Sequence, residues 1–290
     1  MITEFGVELE DGRLLHAYDS GGDGPVVYWH HGTPNIGEPP APLFEAADRL
    51  GLRWLSHNRP GYGASTADPG RTVGSVAADV AAVAEAAGVR RMAVMGHSSG
   101  AAHALACAAL LPERVVAAVG ISGLAPFETS TKNGFDWFEG MADGSAGSLR
   151  AARAGRAEKE RHLAAATGEE DIGFLAADWE ALQSDWAWFD DIVPAALLTG
   201  PGGLIDDDLA NVGPWGFDPA AIACPVLLIH GAADRMVPAA HSAWTAAQIR
   251  GAELRLIPDA GHITAMRQGA AALEWIQEKG DGRSRPPANP

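Results

Sequence analysis

Ser98 stands in Gly96-His97-Ser98-Ser99-Gly100, between the apolar run MAVMG and the small-residue stretch AAHALACAALL. A strand, a sharp turn and a helix are expected there, and a serine on such a turn has its hydroxyl pushed out above the sheet by a strained backbone. Gly96 and Gly100 fit because a side chain at either place would collide with the neighbouring strand or helix. A serine hydroxyl is a weak nucleophile at neutral pH and needs a base beside it; an imidazole titrates in the right range. Ten histidines compete for that role. His262, in Asp259-Ala260-Gly261-His262, directly follows the last expected strand and so shares a sheet edge with Ser98. The imidazole in turn needs a carboxylate to hold one tautomer. Asp234 follows the apolar run VLLIH in the same manner, which makes the order in the chain Ser98, Asp234, His262. Such a trio performs acyl transfer.

The elements that must position these residues are legible as periods. VELEDGRLLHAYD holds two alternating segments around Asp11-Gly12, a hairpin signal. Short apolar runs follow at 26–32, 52–58, 92–98 and 115–122, as expected for strands covered on both faces. Between them, residues 73–87 place Val76, Val80 and Val83 at helical spacing. This alternation implies a parallel sheet. The rhythm stops after Gly123 and resumes at Cys224 with a strand, a helical segment over 238–250, a strand over 252–258 and a last helix to about residue 278. Residues 127–218 are therefore an insertion between 1–126 and 219–278. They carry 18 acidic against 6 basic residues and five of the nine tryptophans, and are expected as helices over one end of the sheet. An ordinary helical subdomain whose aromatics only pack together is the competing reading. The tail, 279–290, has no apolar anchor and is expected to be disordered.

Composition narrows the class. With 290 residues, 47% hydrophobic and 20% charged, the chain can bury a sizeable core, and wholesale disorder is excluded. A net charge of −16 repels phosphate backbones and anionic headgroups, so neither nucleic acid nor membrane is an expected partner. MITEFGVELEDG lacks the basic start and apolar stretch of a secretory leader, and no apolar run is long enough to span a bilayer; a cytoplasmic protein is expected. Cys107 and Cys224 are far apart and read as packing residues. No histidine has partners at ligand spacing, so neither metal nor cofactor is expected.

Four motifs in register resemble the α/β-hydrolase family: HHGTP at 30–34, HNRPGYGAS at 57–65, GHSSG at 96–100, and the late pair HGAADRMVP and DAGH. The resemblance covers nearly all of 1–278. It implies an α/β fold with an eight-stranded, mostly parallel sheet flanked by helices and a helical cap inserted after the sixth strand, where 127–218 falls. It also implies that the backbone N–H groups of Thr33 and Ser99 form the oxyanion hole. Gly32 fits a close approach of main chain to substrate. His31 flanks the same turn and is read first as a brace for it, with substrate contact second. His97, Trp137 and Trp186 are further candidates for lining a substrate pocket. One departure is Asn58, where the family loop usually begins with Asp. A serine rather than an aspartate nucleophile argues against epoxide hydrolase and haloalkane dehalogenase chemistry.

The leading expectation is a hydrolase of carboxylic esters, or related acyl bonds, acting on a small to medium apolar molecule. A prolyl-aminopeptidase-like peptidase is an alternative, because HGTPN loosely resembles that group's HGGPG turn and cap carboxylates could hold an α-ammonium. A non-hydrolytic lyase or oxygenase and a ligand-binding protein of the same fold are the others.

Overall fold

The computed structural model describes residues 2–280. The tail expected at 279–290 lies outside the described residues except for Lys279 and Gly280, which complete the last helix.

A hairpin opens the chain: β1 (Thr3–Glu8) pairs antiparallel with β2 (Leu14–Asp19), and Gly12, at φ 84°, makes the turn. Then β3 (Val26–His30), α1 (Phe44–Arg49), β4 (Arg53–His57), α2 (Val76–Ala86), β5 (Met92–His97), α3 (Ser99–Leu110) and β6 (Val115–Ile121) follow in alternation. Six helices come next: α4 (Phe127–Lys132), α5 (Asp143–Arg153), α6 (Arg156–Ala165), α7 (Ala176–Leu182), α8 (Phe189–Leu197) and α9 (Gly202–Val212). The chain then returns through β7 (Val226–Gly231), α10 (Ala240–Gln248), β8 (Glu253–Ile257) and α11 (Gly269–Gly280). One sheet holds all eight strands in the order β1-β2-β4-β3-β5-β6-β7-β8. β2 alone runs against the direction of the other seven strands, antiparallel to both β1 and β4. This is the α/β-hydrolase architecture that the motifs implied.

The central strands are apolar on both faces because each face has its own core. Val26 and Tyr28 of β3, Met92 and Val94 of β5 and Val226 and Leu228 of β7 join one cluster, with residues of α2 and α3. Their neighbours Val27, Trp29, Ala93, Met95, Leu227 and Ile229 join the other, with residues of α1 and α11. The period of two in a strand thus serves two helix layers at once.

Strand order reverses between β3 and β5: the chain leaves β3 for β4 on one side, while β5 pairs on the other. At such a switch point the loops leaving the carboxyl ends part and open a crevice. Thr33 follows β3 and Ser98 follows β5, so both stand at that crevice.

Candidate active site

Ser98 sits at φ 57° and ψ −128°, a region that side-chain-bearing residues rarely occupy. Its position is enforced by close packing. A Cβ on Gly96 would fall 2.1 Å from the carbonyl oxygen of Gly100, and one on Gly100 would fall 2.1 Å from that of His30. Helix α3 begins at Ser99, so the positive end of its dipole points at the space beside Ser98. The Ser99 N–H heads that helix, and neither it nor the Thr33 N–H has a backbone acceptor among the described residues. The turn that carries Thr33 lies against the serine: a Cβ on Gly32 would stand 3.5 Å from Ser98 Cβ.

Asp234 and His262 meet across 28 residues. His262 Nδ1 donates to Asp234 Oδ2 at 2.8 Å, and both side chains are buried. The other carboxylate oxygen, Oδ1, accepts from the backbone N–H groups of Met236 (2.9 Å) and Val237 (3.0 Å). His230 Nε2 lies 3.3 Å from Oδ2. Burial alone would raise the Asp234 pKa; the charge of His262 and the bonds from His230 and His262 outweigh it and hold the carboxyl well below the usual carboxylate range. The carbonyl of His262 is tied down by His97 Nε2 (3.1 Å) and Ser122 Oγ (3.4 Å). His97, next to the serine, has its ring centroid 4.8 Å from that of His262. Burial, then the neighbouring His262, pushes the His97 pKa down to about 3, so this ring is neutral.

Ser98, His97, His262, Gly32 and Thr33 line one cavity of about 360 Å³. Its remaining wall is largely apolar and comes mostly from the inserted segment, with Phe174, Trp179, Leu182, Phe189 and Val193, and it also includes Asn35 and the Asp190 carboxylate. His262 Nε2 and Ser98 Oγ make no hydrogen bond to each other or to another described residue.

Three of the expected lining residues are elsewhere. His31 is buried outside the cavity: its Nδ1 donates to the Gly32 carbonyl at 2.7 Å, and its Nε2 accepts from the Arg59 N–H at 3.1 Å. It braces the turn. Trp137 is buried away from the cavity: Nε1 donates to the Ala125 carbonyl and the ring packs edge-on against His241 and Phe127. Trp186 packs against Trp188 and Phe189, and only the latter reaches the cavity.

Two aspartates of the insertion were not singled out by sequence, and each holds one loop of the site. Asp207, on α9, is fully buried among Arg59, Arg71, Tyr62 and Thr33: Arg59 Nη2 donates at 2.6 Å, Tyr62 donates at 2.8 Å, Arg71 Nη1 lies at 2.7 Å, and the Thr33 hydroxyl donates as well. Arg59 Nη2 also donates to the Gly32 carbonyl at 3.1 Å. The Gly32–Thr33 peptide is trans, so fixing its C=O fixes its N–H in the opposite direction. Burial would raise the Asp207 pKa, but the two guanidinium charges hold it well below the usual range. Asp178, on α7, accepts through Oδ1 from the backbone N–H groups of Ile263 (3.0 Å) and Thr264 (2.8 Å), the two residues after His262.

Among the described residues, no cluster of three or more His, Cys, Asp or Glu could hold a metal ion, and no helix is long and apolar enough to cross a membrane. Burial pushes the thiols of Cys107 and Cys224 up, the latter to about 11.

Comparison with known proteins agrees with this architecture. The family model for the alpha/beta hydrolase fold matches residues 25–267. A non-heme haloperoxidase of Rhodococcus erythropolis is 27% identical over 288 residues, which is 93% of this chain and 98% of that protein. A bifunctional esterase/perhydrolase of Acinetobacter calcoaceticus is 34% identical over 133 residues, 45% of this chain and 48% of that protein. The crystal structure of an enol-lactonase from Burkholderia xenovorans LB400 superposes with a TM-score of 0.70 at 21% identity, covering 94% of this chain and 98% of that one. The matched span takes in every strand from β3 to β8, and the chain belongs to the α/β-hydrolase fold family of enzymes.

Proposed function

We propose that this enzyme is a serine hydrolase that cleaves a carboxylic ester of a small to medium apolar substrate, with residues 127–218 as the cap over its site. Ser98 Oγ attacks the carbonyl carbon and its proton passes to His262 Nε2. Asp234 holds the imidazole in the tautomer with Nδ1 protonated and favours its cationic form. The oxyanion is met by the N–H groups of Ser99 and Thr33, each worth about 3–4 kcal/mol in the barrier. The ester C–O bond then breaks, the alcohol leaves with the proton from His262, and water, deprotonated by the same imidazole, releases the acid from the acyl-serine.

The observation that carries this reading is the 2.8 Å bond from His262 to Asp234 at the cavity that also exposes Ser98. The apolar wall of Phe174, Trp179 and Leu182 supports an apolar substrate arm. The name of the Acinetobacter relative, an esterase/perhydrolase, agrees with ester chemistry. A peptidase that binds an ammonium needs a carboxylate without a cation of its own. The inserted run Asp206, Asp207 and Asp208 offers none, because Arg156, then Arg59 with Arg71, then Lys159 each pair with one of them. Asp190, which lines the first cavity, pairs with no cation among the described residues, so the prolyl arylamide in the panel tests this alternative directly.

A panel of 4-nitrophenyl butyrate, a γ-lactone and a prolyl arylamide, run against wild type and Ser98→Ala, tests the reading. Ester turnover that falls about 10⁴-fold in the variant is expected. Preference for the arylamide, or a mild loss in Ser98→Ala, would contradict it.

A further inference from the structure

A second cavity, of about 260 Å³, is also lined by Ser98. Both cavities share Thr33, Pro34, Ser98, Ile172 and Met236, so a molecule at the serine reaches into both. Their chemistry differs. The first is walled mainly by aromatic and branched apolar side chains, with Asn35 and Asp190 beside them. The second adds Ser99, Ser145, Ser148, Asp208 and Asn211 to its apolar sides.

Asn211, near the end of α9, is 2% exposed. Its Oδ1 accepts from Ser99 Oγ at 3.4 Å, and no described residue accepts from its Nδ2. The Asn211 side chain lines this cavity and its amide donor has no protein acceptor among the described residues, so it is free to donate to a ligand seated there. Charge does not dominate this lobe. Lys159, wholly buried, neutralises Asp208 and also donates to Ser148. A cationic arm would find that carboxylate already paired, and an anionic arm would face it without a free cation.

Resting on the ester-hydrolase reading, we infer that the second cavity is a subsite for a short, uncharged arm bearing a hydrogen-bond acceptor, a hydroxyl or carbonyl oxygen, which Asn211 Nδ2 recognises. The substrate class is then an ester with two unlike arms, one apolar against Phe174 and Trp179, the other neutral and polar against Asn211.

Matched esters test this. One pair is 2-naphthyl 3-hydroxybutanoate with 2-naphthyl 3-methylbutanoate; the other is the 3-hydroxybutyl and 3-methylbutyl esters of 1-naphthoic acid. In each pair a hydroxyl replaces a methyl at constant shape, and the two pairs offer the polar group on the acyl or the alcohol side. The expected result is a kcat/KM about 3- to 10-fold higher for the hydroxyl ester in one pair, the worth of one neutral hydrogen bond. That ratio should fall towards one in Asn211→Leu and in Asn211→Ala, whose side chains can neither donate to nor accept from the hydroxyl. The cationic 2-naphthyl 3-aminobutanoate should be poorer than the 3-hydroxy ester. Turnover with a ratio near one in both wild-type pairs, or a ratio unchanged in both variants, overturns the inference and leaves the ester reading standing. Preference for the amino ester also overturns it. No turnover of any of these esters removes the ester reading and the inference together.

Discussion

Asp207 on α9 grips Arg59, in the loop after β4, at two points: Nη2 to Oδ2 at 2.6 Å and Nε to Oδ1 at 3.1 Å, with both side chains buried. The same guanidinium donates to the Gly32 carbonyl, so the inserted segment reaches the peptide whose N–H is proposed to face the oxyanion. Removing one partner of a buried pair leaves the other uncompensated, at a cost of about 3–5 kcal/mol. Asp207→Asn should therefore lose stability of that order in urea denaturation. The folded variant should show a lower kcat with KM less affected, since the Thr33 N–H loses its fixed direction. Wild-type stability and kcat together would contradict the role.

Asp178 gives a parallel case at the other loop. Its carboxylate receives the N–H groups of Leu175, Ile263 and Thr264 and the Thr264 hydroxyl. Asp178→Ala strands these donors, each worth about 1–3 kcal/mol when left buried and unpaired. Lower stability and at least about a tenfold drop in kcat are expected, because the loop that carries His262 is released. The urea midpoint and steady-state kinetics of this variant check both.

The backbone at Ser98 yields a prediction of opposite sign. A side-chain-bearing residue at φ 57°, ψ −128° stores about 1–3 kcal/mol of strain. Glycine relieves it, less about 0.5–1 kcal/mol of added chain entropy. Ser98→Gly should be inactive yet about 1 kcal/mol more stable than Ser98→Ala by chemical denaturation. A glycine variant less stable than the alanine one would show that the turn is not strained.

Acid sensitivity follows from buried imidazoles. Burial first, then nearby positive charge, holds His57 and His103 at about 3; His97 and His241 lie at about 3 as well, mainly by burial. Above the unfolded value of about 6.5 both states are neutral there and stability is full. As pH falls below 6.5 the unfolded chain takes up protons that the folded one refuses, so each histidine removes about 1.4 kcal/mol per pH unit. Asp207 and Asp234 are depressed carboxylates whose stabilisation is lost only below about pH 4. Urea midpoints at pH 7, 6 and 5 should fall steeply; a constant midpoint would refute neutral burial.

The sheet was legible because its signals are local. Two-sided apolar runs name the central strands, and the Gly96 and Gly100 spacing names the turn at Ser98, since both glycines answer to contacts that any Cβ would break. The pairing of Asp234 with His262 was legible for a related reason, as both follow strands at one edge. The packing inside the insertion was not. Trp137 and Trp186 looked like pocket residues by type alone, whereas burial depends on which way short helices turn, and that is set by packing. Asp206-Asp207-Asp208 held a usable signal: three consecutive helical residues span about 200° of the surface, so they cannot all face water. The partners Arg59 and Arg71 lie more than 130 positions away, and nothing local announces them.

Labelling with a fluorophosphonate followed by peptide mass spectrometry interrogates the nucleophile, its base and the orienting carboxylate as one unit. A single adduct on Ser98 in wild type, none in Ser98→Ala, and labelling slowed by orders of magnitude in both His262→Ala and Asp234→Asn is the predicted result. An adduct on another residue, or undiminished labelling without His262, would contradict it.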